Sequence, residues 1–255
     1  MTVKDTGFHI IVPARYRASR LPGKPLLDIG GKPMIQHVVE RCRESAAISV
    51  VVATDSPRIA DVVESFGGQV VLTSPDHPSG SDRIAEASAL LGIGDREIIV
   101  NVQGDEPDMP AALINQLAQG LAGDGAAAMA TACAPLDRET QLTDPAVVKV
   151  VCNQAGYAMY FSRAPIPWVR DSGSGSPGGN VDNQAYRHLG IYAYRAEFLR
   201  KYTLMERPAL EELEKLEQLR VLWYGYKIRC LKAVVVPSPG IDTREDLMAA
   251  RKKHG

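Results

Sequence analysis

Short apolar runs alternate with amphipathic stretches from the start of this chain, and that alternation leaves few folds open. Phe8–Val12 and Ser49–Ala53 are apolar runs of the kind a strand shows when both its faces are buried, and Val70–Leu72 makes a third strand. Between them, Met34, Ile35, Val38, Val39 and Cys42 recur at helical spacing, as do Ile59, Val62, Val63 and Phe66. Gly30-Gly31 and Pro33 mark the first helix start, Ser56-Pro57 the second, and Gly67-Gly68 closes it. Strand, helix, strand, helix, strand predicts an α/β fold: a mostly parallel, doubly wound sheet with helices on both faces. Ligands of such sheets gather at the carboxyl ends of the strands.

The first strand empties into a loop that carries Arg15, Arg17, Arg20 and Lys24, with no acidic residue before Asp28. Pro13, Pro22 and Pro25 limit its freedom, and small residues let its backbone approach a ligand. This suits a polyanion such as a nucleoside triphosphate. Gly23-Lys24 is followed by Pro25, so this is not the common phosphate loop, and no Gly-x-Gly-x-x-Gly follows the strand. Kinase, ATPase and dinucleotide chemistry are disfavoured. Net charge over the 255 residues is −1, which argues against a nucleic-acid partner and leaves anion binding to local clustering. Cys42, Cys133, Cys152 and Cys230 have no metal-ligand spacing and read as reduced core residues of a cytoplasmic protein. The amino terminus lacks the apolar run of a signal peptide, and no stretch is long enough to span a membrane.

The loop Ser74–Arg83 should share the rim with Arg15, where Gly80 and Ser81 would offer contacts and Arg83 a further cation, although taken alone it is an ordinary Ser-capped helix start. The strand Glu97–Val102 delivers Gln103-Gly104-Asp105-Glu106-Pro107 to the same rim. A lone strand-end Asp is often a turn residue; among gathered cations, Asp105 reads as a Mg2+ ligand, since that ion takes one or two carboxylates plus phosphate oxygens. Asp-x-Asp, the usual acidic pair of glycosyltransferases, is absent. Pro110–Leu121 reads as a helix and Ala126–Ala134 as a strand. Beyond Val147 the texture becomes antiparallel, with a hairpin of Val147–Val151 and Tyr157–Phe161 about Asn153–Gly156. Asp171–Gly179 is expected to be a surface loop without chemistry. Tyr186–Arg195 is a strand on which Arg187 and His188 would face opposite ways if it is regular. Leu210–Leu222 reads as one amphipathic helix with a core stripe of Leu213, Leu216, Leu219 and Leu222. The last strand, Ile228–Val236, leads to Asp242, which from local chemistry is either the cap of the closing helix or a ligand.

Pro13-Ala14-Arg15-Tyr16 and Ser19-Arg20-Leu21-Pro22-Gly23-Lys24-Pro25-Leu26 closely resemble the signature of sugar nucleotidyltransferases that make CMP-activated 3-deoxy-octulosonic acids. Asn101–Pro107, Arg187–Tyr192, Leu216–Leu222 and Gly240–Asp246 resemble further segments of that family, so the likeness covers nearly the whole chain. It departs at Arg17-Ala18 and near residues 171–180. The resemblance implies one domain over 1–255 of the nucleotide-diphospho-sugar transferase type, with 147–200 as a sugar-binding or dimerisation subregion. It implies transfer of CMP from CTP to the anomeric hydroxyl of an acidic 3-deoxy sugar, with pyrophosphate released, in lipopolysaccharide assembly. Ala14, Arg15, Arg20, Lys24, Ser81, Arg83, Gln103 and Gly104 would bind the nucleotide. Gln103, Arg163, His188, Glu217 and Gln218 would bind the sugar. Asp105 and Asp242 would hold Mg2+ and, with Arg15 and Lys24, form the catalytic set. A homodimer is implied. Alternatives are a cytidylyltransferase for another acid or alcohol phosphate, a glycosyltransferase, and a regulator that binds CTP without turnover.

Overall fold

The computed structural model describes residues 7–16, 21–136, 139–168, 170 and 185–254. Arg17, Arg20 and the 171–179 stretch lie outside the described residues. The chain runs β1 (Phe8–Ala14), a 3-10 turn (Lys24–Leu26), β2 (Asp28–Ile29), β3 (Lys32–Pro33), α1 (Met34–Arg43), β4 (Ser49–Thr54), α2 (Pro57–Ser65) and β5 (Gln69–Leu72). Then follow α3 (Gly80–Leu90), β6 (Ile98–Asn101), α4 (Ala111–Ala122), β7 (Ala127–Pro135), α5 (Glu139–Thr143), β8 (Lys149–Cys152) and β9 (Ala158–Ser162). The rest is β10 (Tyr186–Arg195), α6 (Ala196–Thr203), α7 (Ala209–Glu214), α8 (Gln218–Trp223), β11 (Lys227–Lys232) and α9 (Arg244–His254).

The main sheet has the order β11-β7-β10-β6-β1-β4-β5. β1, β4, β5 and β6 pair in parallel, as do β7 and β11, while β10 lies antiparallel between β6 and β7. Burial explains why β1 is central: Ile10, Ile11 and Val12 are fully buried on alternating faces. Ile10 and Val12 pack with Ile35, Val38, Ile59 and Leu113 from α1, α2 and α4. Ile11 packs on the other face with Ile84, Phe198 and Leu219 from α3, α6 and α8. The sheet is thus doubly wound, as the sequence predicts.

β10 is what shapes the site. β6 ends at Asn101, opposite Tyr192, whereas β10 begins at Tyr186. The 186–191 segment therefore overshoots the end of β6 by about 20 Å at the usual strand rise. β7 runs out beside it, and the β8–β9 hairpin extends this wall through Tyr186↔Val150 and Arg187↔Lys149.

Three local expectations are corrected. Leu210–Leu222 is not one helix, because Lys215 takes a left-handed conformation (φ 53°) between α7 and α8 and leaves Leu213 80% exposed. In a continuous helix Glu211 and Arg220 would face opposite sides. The break folds them together, with Arg220 Nε 2.7 Å from Glu211 Oε2 and both residues buried. β11 stops at Lys232 because the Val234 amide turns to Gln116 Oε1 at 3.0 Å. Ser56 stands at the start of α2, but its hydroxyl caps nothing. β10 keeps a regular register from Tyr186 to Leu189, across Arg187 and His188, and shifts only between Leu189 and Tyr192.

Candidate active site

β1 delivers Pro13, Ala14 and Arg15 to the rim, and β6 delivers Gln103, Gly104 and Asp105 beside them. With Lys24 and Pro25 they line a cavity of about 220 Å³. The two loops touch closely: a Cβ on Gly104 would lie 3.1 Å from the Pro13 carbonyl oxygen, so this position takes glycine for want of space. Gly23, at φ 68°, starts the 3-10 turn, and its amide donates to Tyr16 O at 3.0 Å. That turn sends the buried Lys24 back under the strand ends.

There Lys24 Nζ donates to Asp105 Oδ2 at 2.6 Å and to Asp242 Oδ1 at 2.9 Å. The two carboxylates predicted to converge do so, over one ammonium. Asp242 is not the helix cap. Thr243 Oγ1 accepts from the Asp246 amide at 3.2 Å, and Asp246 Oδ2 accepts from the Thr243 amide at 2.8 Å. This reciprocal capping box starts α9 and leaves the Asp242 carboxylate for Lys24. Next door, burial and then the charge of Asp105 push the Glu106 carboxyl up to about 8.

Arg15 stands between this cavity and a larger one of about 830 Å³, lined by Tyr16, Asp55, Arg58, Pro75 and Asp76. Arg15 Nη2 is buried without a hydrogen-bond partner. A buried guanidinium donor left unpaired is costly unless a ligand oxygen completes it. Asp55, Arg58 and Asp76 escaped the sequence reading, although their position after β4 and β5 was a usable signal. Ser81 and Arg83 are placed differently from expectation. Both are 1% exposed: Ser81 Oγ donates to Glu217 Oε2 at 3.0 Å, and Arg83 pairs with Asp55 at 3.2 Å. They support the cavity walls instead of lining them.

Under the β10 overhang, Arg187, His188, Tyr192, Lys215, Glu217 and Gln218 line a cavity of about 370 Å³. Arg187 and His188 both contribute to this lining although β10 is regular across the pair; its bulge comes only after Leu189. Thr131 fills that bulge: its Oγ1 reaches Ile191 O at 2.9 Å, Leu189 O at 3.2 Å and His188 Nε2 at 2.8 Å. With the hydroxyl proton committed to a carbonyl, Thr131 accepts from His188 Nε2–H, which leaves Nδ1 as an acceptor. Burial pushes the imidazole down to about 3, so it is neutral at physiological pH. Gln218 Oε1 accepts from Tyr192 OH at 3.1 Å, while its Nε2 is buried without a partner. Burial pushes Glu217 up against the opposing Ser81 hydrogen bond. Arg163 is not part of this lining. Its Nε donates to Glu214 O at 2.8 Å and its Nη1 to Pro145 O at 2.9 Å, so it braces the hairpin.

Two oxygen-donor carboxylates fit Mg2+, which keeps several waters and takes phosphate oxygens for the rest of its shell. Among the described residues no larger group of metal-ligating side chains gathers. No helix is long and apolar enough to cross a membrane.

A doubly wound sheet carrying buried cations and two paired acids at its strand ends defines a nucleotidyltransferase-like protein. The cytidylyltransferase family model matches residues 9–228. The chain is 52% identical to a 3-deoxy-manno-octulosonate cytidylyltransferase of Idiomarina loihiensis, over 97% of this chain and 98% of that protein. It is 54% identical to one from Hahella chejuensis, over 96% and 97% of the two chains. A solved structure of CMP:2-keto-3-deoxy-manno-octonic acid synthetase complexed with CTP superposes with a TM-score of 0.88 at 41% identity, covering 97% of this chain and 98% of that one. The chain belongs to the family of 3-deoxy-manno-octulosonate cytidylyltransferases.

Proposed function

We propose that this chain transfers CMP from CTP to the anomeric hydroxyl of 3-deoxy-D-manno-octulosonate, releasing pyrophosphate, and so supplies an activated sugar for lipopolysaccharide assembly. The observation that carries this reading is the meeting of Asp105 and Asp242 at Lys24, in a cavity that Arg15, with its buried and unpartnered Nη2, also lines. The kinship described above supports the choice of CTP and of the acceptor.

Arg15 and Lys24 offset the triphosphate charge and that of the leaving pyrophosphate, while Ala14, Gln103 and Gly104 shape the cleft between them. Arg20 would add to this charge from its place in the loop. On the other side, His188 Nδ1 accepts from a sugar hydroxyl, and the Gln218 amide donates to the sugar. Glu217, easier to keep neutral than an ordinary carboxyl, tolerates the anionic acceptor. The chain's main task is alignment of attacking and leaving oxygens, since phosphoryl chemistry asks for little covalent work from the protein. Asp105 and Asp242 would hold Mg2+, which when bound polarises phosphate oxygens and favours ionisation of the attacking hydroxyl.

We assign the homodimer contact to the outer side of the β8–β9 hairpin, where Met159 is 62% exposed, and place the enzyme in the cytoplasm. Pyrophosphate release measured with CTP, Mg2+ and a panel of acidic sugars tests the proposal. Turnover with 3-deoxy-D-manno-octulosonate above all others supports it; preference for a sialic acid, for an alcohol phosphate, or no pyrophosphate at all overturns it.

A further inference from the structure

Cys133 on β7, Cys152 at the end of β8 and Cys230 on β11 come from three separate strands and meet in one packed cluster around one cavity. With Gly156, Tyr186 and Lys232 they line a cavity of about 490 Å³, apart from the three cavities described above. Cys133 and Cys230 are buried, while Cys152 is partly exposed. The cross-strand partner of Cys152 is Ala158, whose small side chain leaves the cavity open, and the next residue, Met159, points to the other side of the hairpin. Cys42, the fourth cysteine, stays in the core between α1 and the sheet.

We propose that Cys152 is a reactive nucleophile and a site of covalent modification by peroxides and other small soft electrophiles, with Cys133 as the thiol that resolves its oxidised form. The arrangement supplies what a reactive cysteine requires, namely a stabilised thiolate and access. The neighbouring Cys133 and Cys230 thiols, then the positive charges of Lys232 and Arg229, hold Cys152 down to about 4 against the opposing effect of burial. The same contact with Cys152 pushes Cys133 up, so Cys133 keeps its proton and acts as donor. The three sulfurs do not form a metal cage: among the described residues no group of three ligating side chains has that arrangement.

With hydrogen peroxide the Cys152 thiolate attacks one oxygen, an S–O bond forms as the O–O bond breaks, and hydroxide leaves. The sulfur is oxidised to sulfenic acid and the peroxide is reduced. The Cys133 thiol then attacks that sulfur, its proton leaves with the hydroxyl as water, and an S–S bond replaces the S–O bond. Two thiols and one peroxide thereby give one disulfide and two waters.

The test is alkylation of the full-length native protein with limiting iodoacetamide between pH 5.5 and 8.5, with each cysteine quantified by peptide mapping. Cys152 is expected to react at least tenfold faster than Cys42 or Cys230 at pH 6, with a rate nearly flat across the range. Substoichiometric peroxide should give a loss of about two daltons that maps to a Cys133–Cys152 bridge, and Cys133→Ser should instead leave a sulfenic acid at Cys152 that dimedone traps. Cys152 labelling at the rate of Cys42, or rising with pH as an ordinary thiol does, overturns the proposal. So does peroxide oxidation that spares Cys152. The wild-type pH profile alone decides the nucleophile, even where a core variant folds poorly.

Discussion

The backbone amide of Ile241 donates to the carbonyl of Asp105 at 2.9 Å, and this bond stitches together two loops far apart in the chain. It fixes where the next residue, Asp242, can stand relative to Asp105, so that one ammonium reaches both carboxylates. Removing either charge should disable the site without unfolding it. Asp105→Asn and Asp242→Asn are each expected to lower kcat roughly hundredfold or more at little cost in melting temperature. Steady-state pyrophosphate release with thermal unfolding alongside checks this, and turnover at the native rate in either variant would remove the assignment.

Gln218 offers an amide donor that the protein leaves unpaired, so an acceptor substrate should feel its loss more than the chemistry does. Gln218→Leu is expected to raise KM for the acidic sugar about tenfold, the equivalent of one buried hydrogen bond. KM for CTP should stay unchanged. A CTP effect as large as the sugar effect would place Gln218 elsewhere in the cycle.

Arg220 and Glu211 form a buried bidentate pair, with Nη2 to Oε1 at 2.5 Å and the guanidinium 4.4 Å from the Tyr202 ring. Deleting one partner strands the other charge, so Arg220→Met should cost about 3–5 kcal/mol. The double change with Glu211→Leu should recover most of that. Urea unfolding of the four proteins in the cycle measures it, and additive losses would show that the pair is not coupled.

His188 sets a pH dependence. Its ordinary value is 6.5, and burial takes the folded imidazole to about 3. Above pH 6.5 neither state is protonated. Between 6.5 and 3 the unfolded chain binds a proton that the native one refuses, so this contribution to stability is lost as pH falls, by at most about 1.4 kcal/mol per pH unit. His188→Asn, neutral throughout, should lose less melting temperature than the wild type between pH 7 and pH 5. Equal losses would show that the imidazole already titrates freely in the native state.

Much of this was legible in the sequence because it rested on local pattern. The parallel strands announce themselves as apolar runs, and α1 buries Met34, Ile35, Val38, Val39 and Cys42 as their spacing predicts. Lys24, Asp105 and Asp242 converge because strand ends gather at one rim. Other features depend on tertiary context, which periodicity does not carry. Arg83 looks like any loop cation, and only the fold shows it turned inward onto Asp55. The α7–α8 break reads as a clean leucine stripe until Glu211 and Arg220 claim each other across the corner. The three thiols have no motif, since strands distant in sequence bring them together.

The overshoot of β10 past the end of β6 divides labour within one sheet. In the function proposed above, the groups that would face phosphate hang on β1 and β6, whereas the acceptor's half of the cleft would be framed by a separate projecting arm and the corner at Lys215. Substitutions along that arm can retune which molecule receives the nucleotide while the machinery that cleaves the donor keeps its geometry. A scaffold divided in this way is free to diversify its products from a fixed source of activated phosphate.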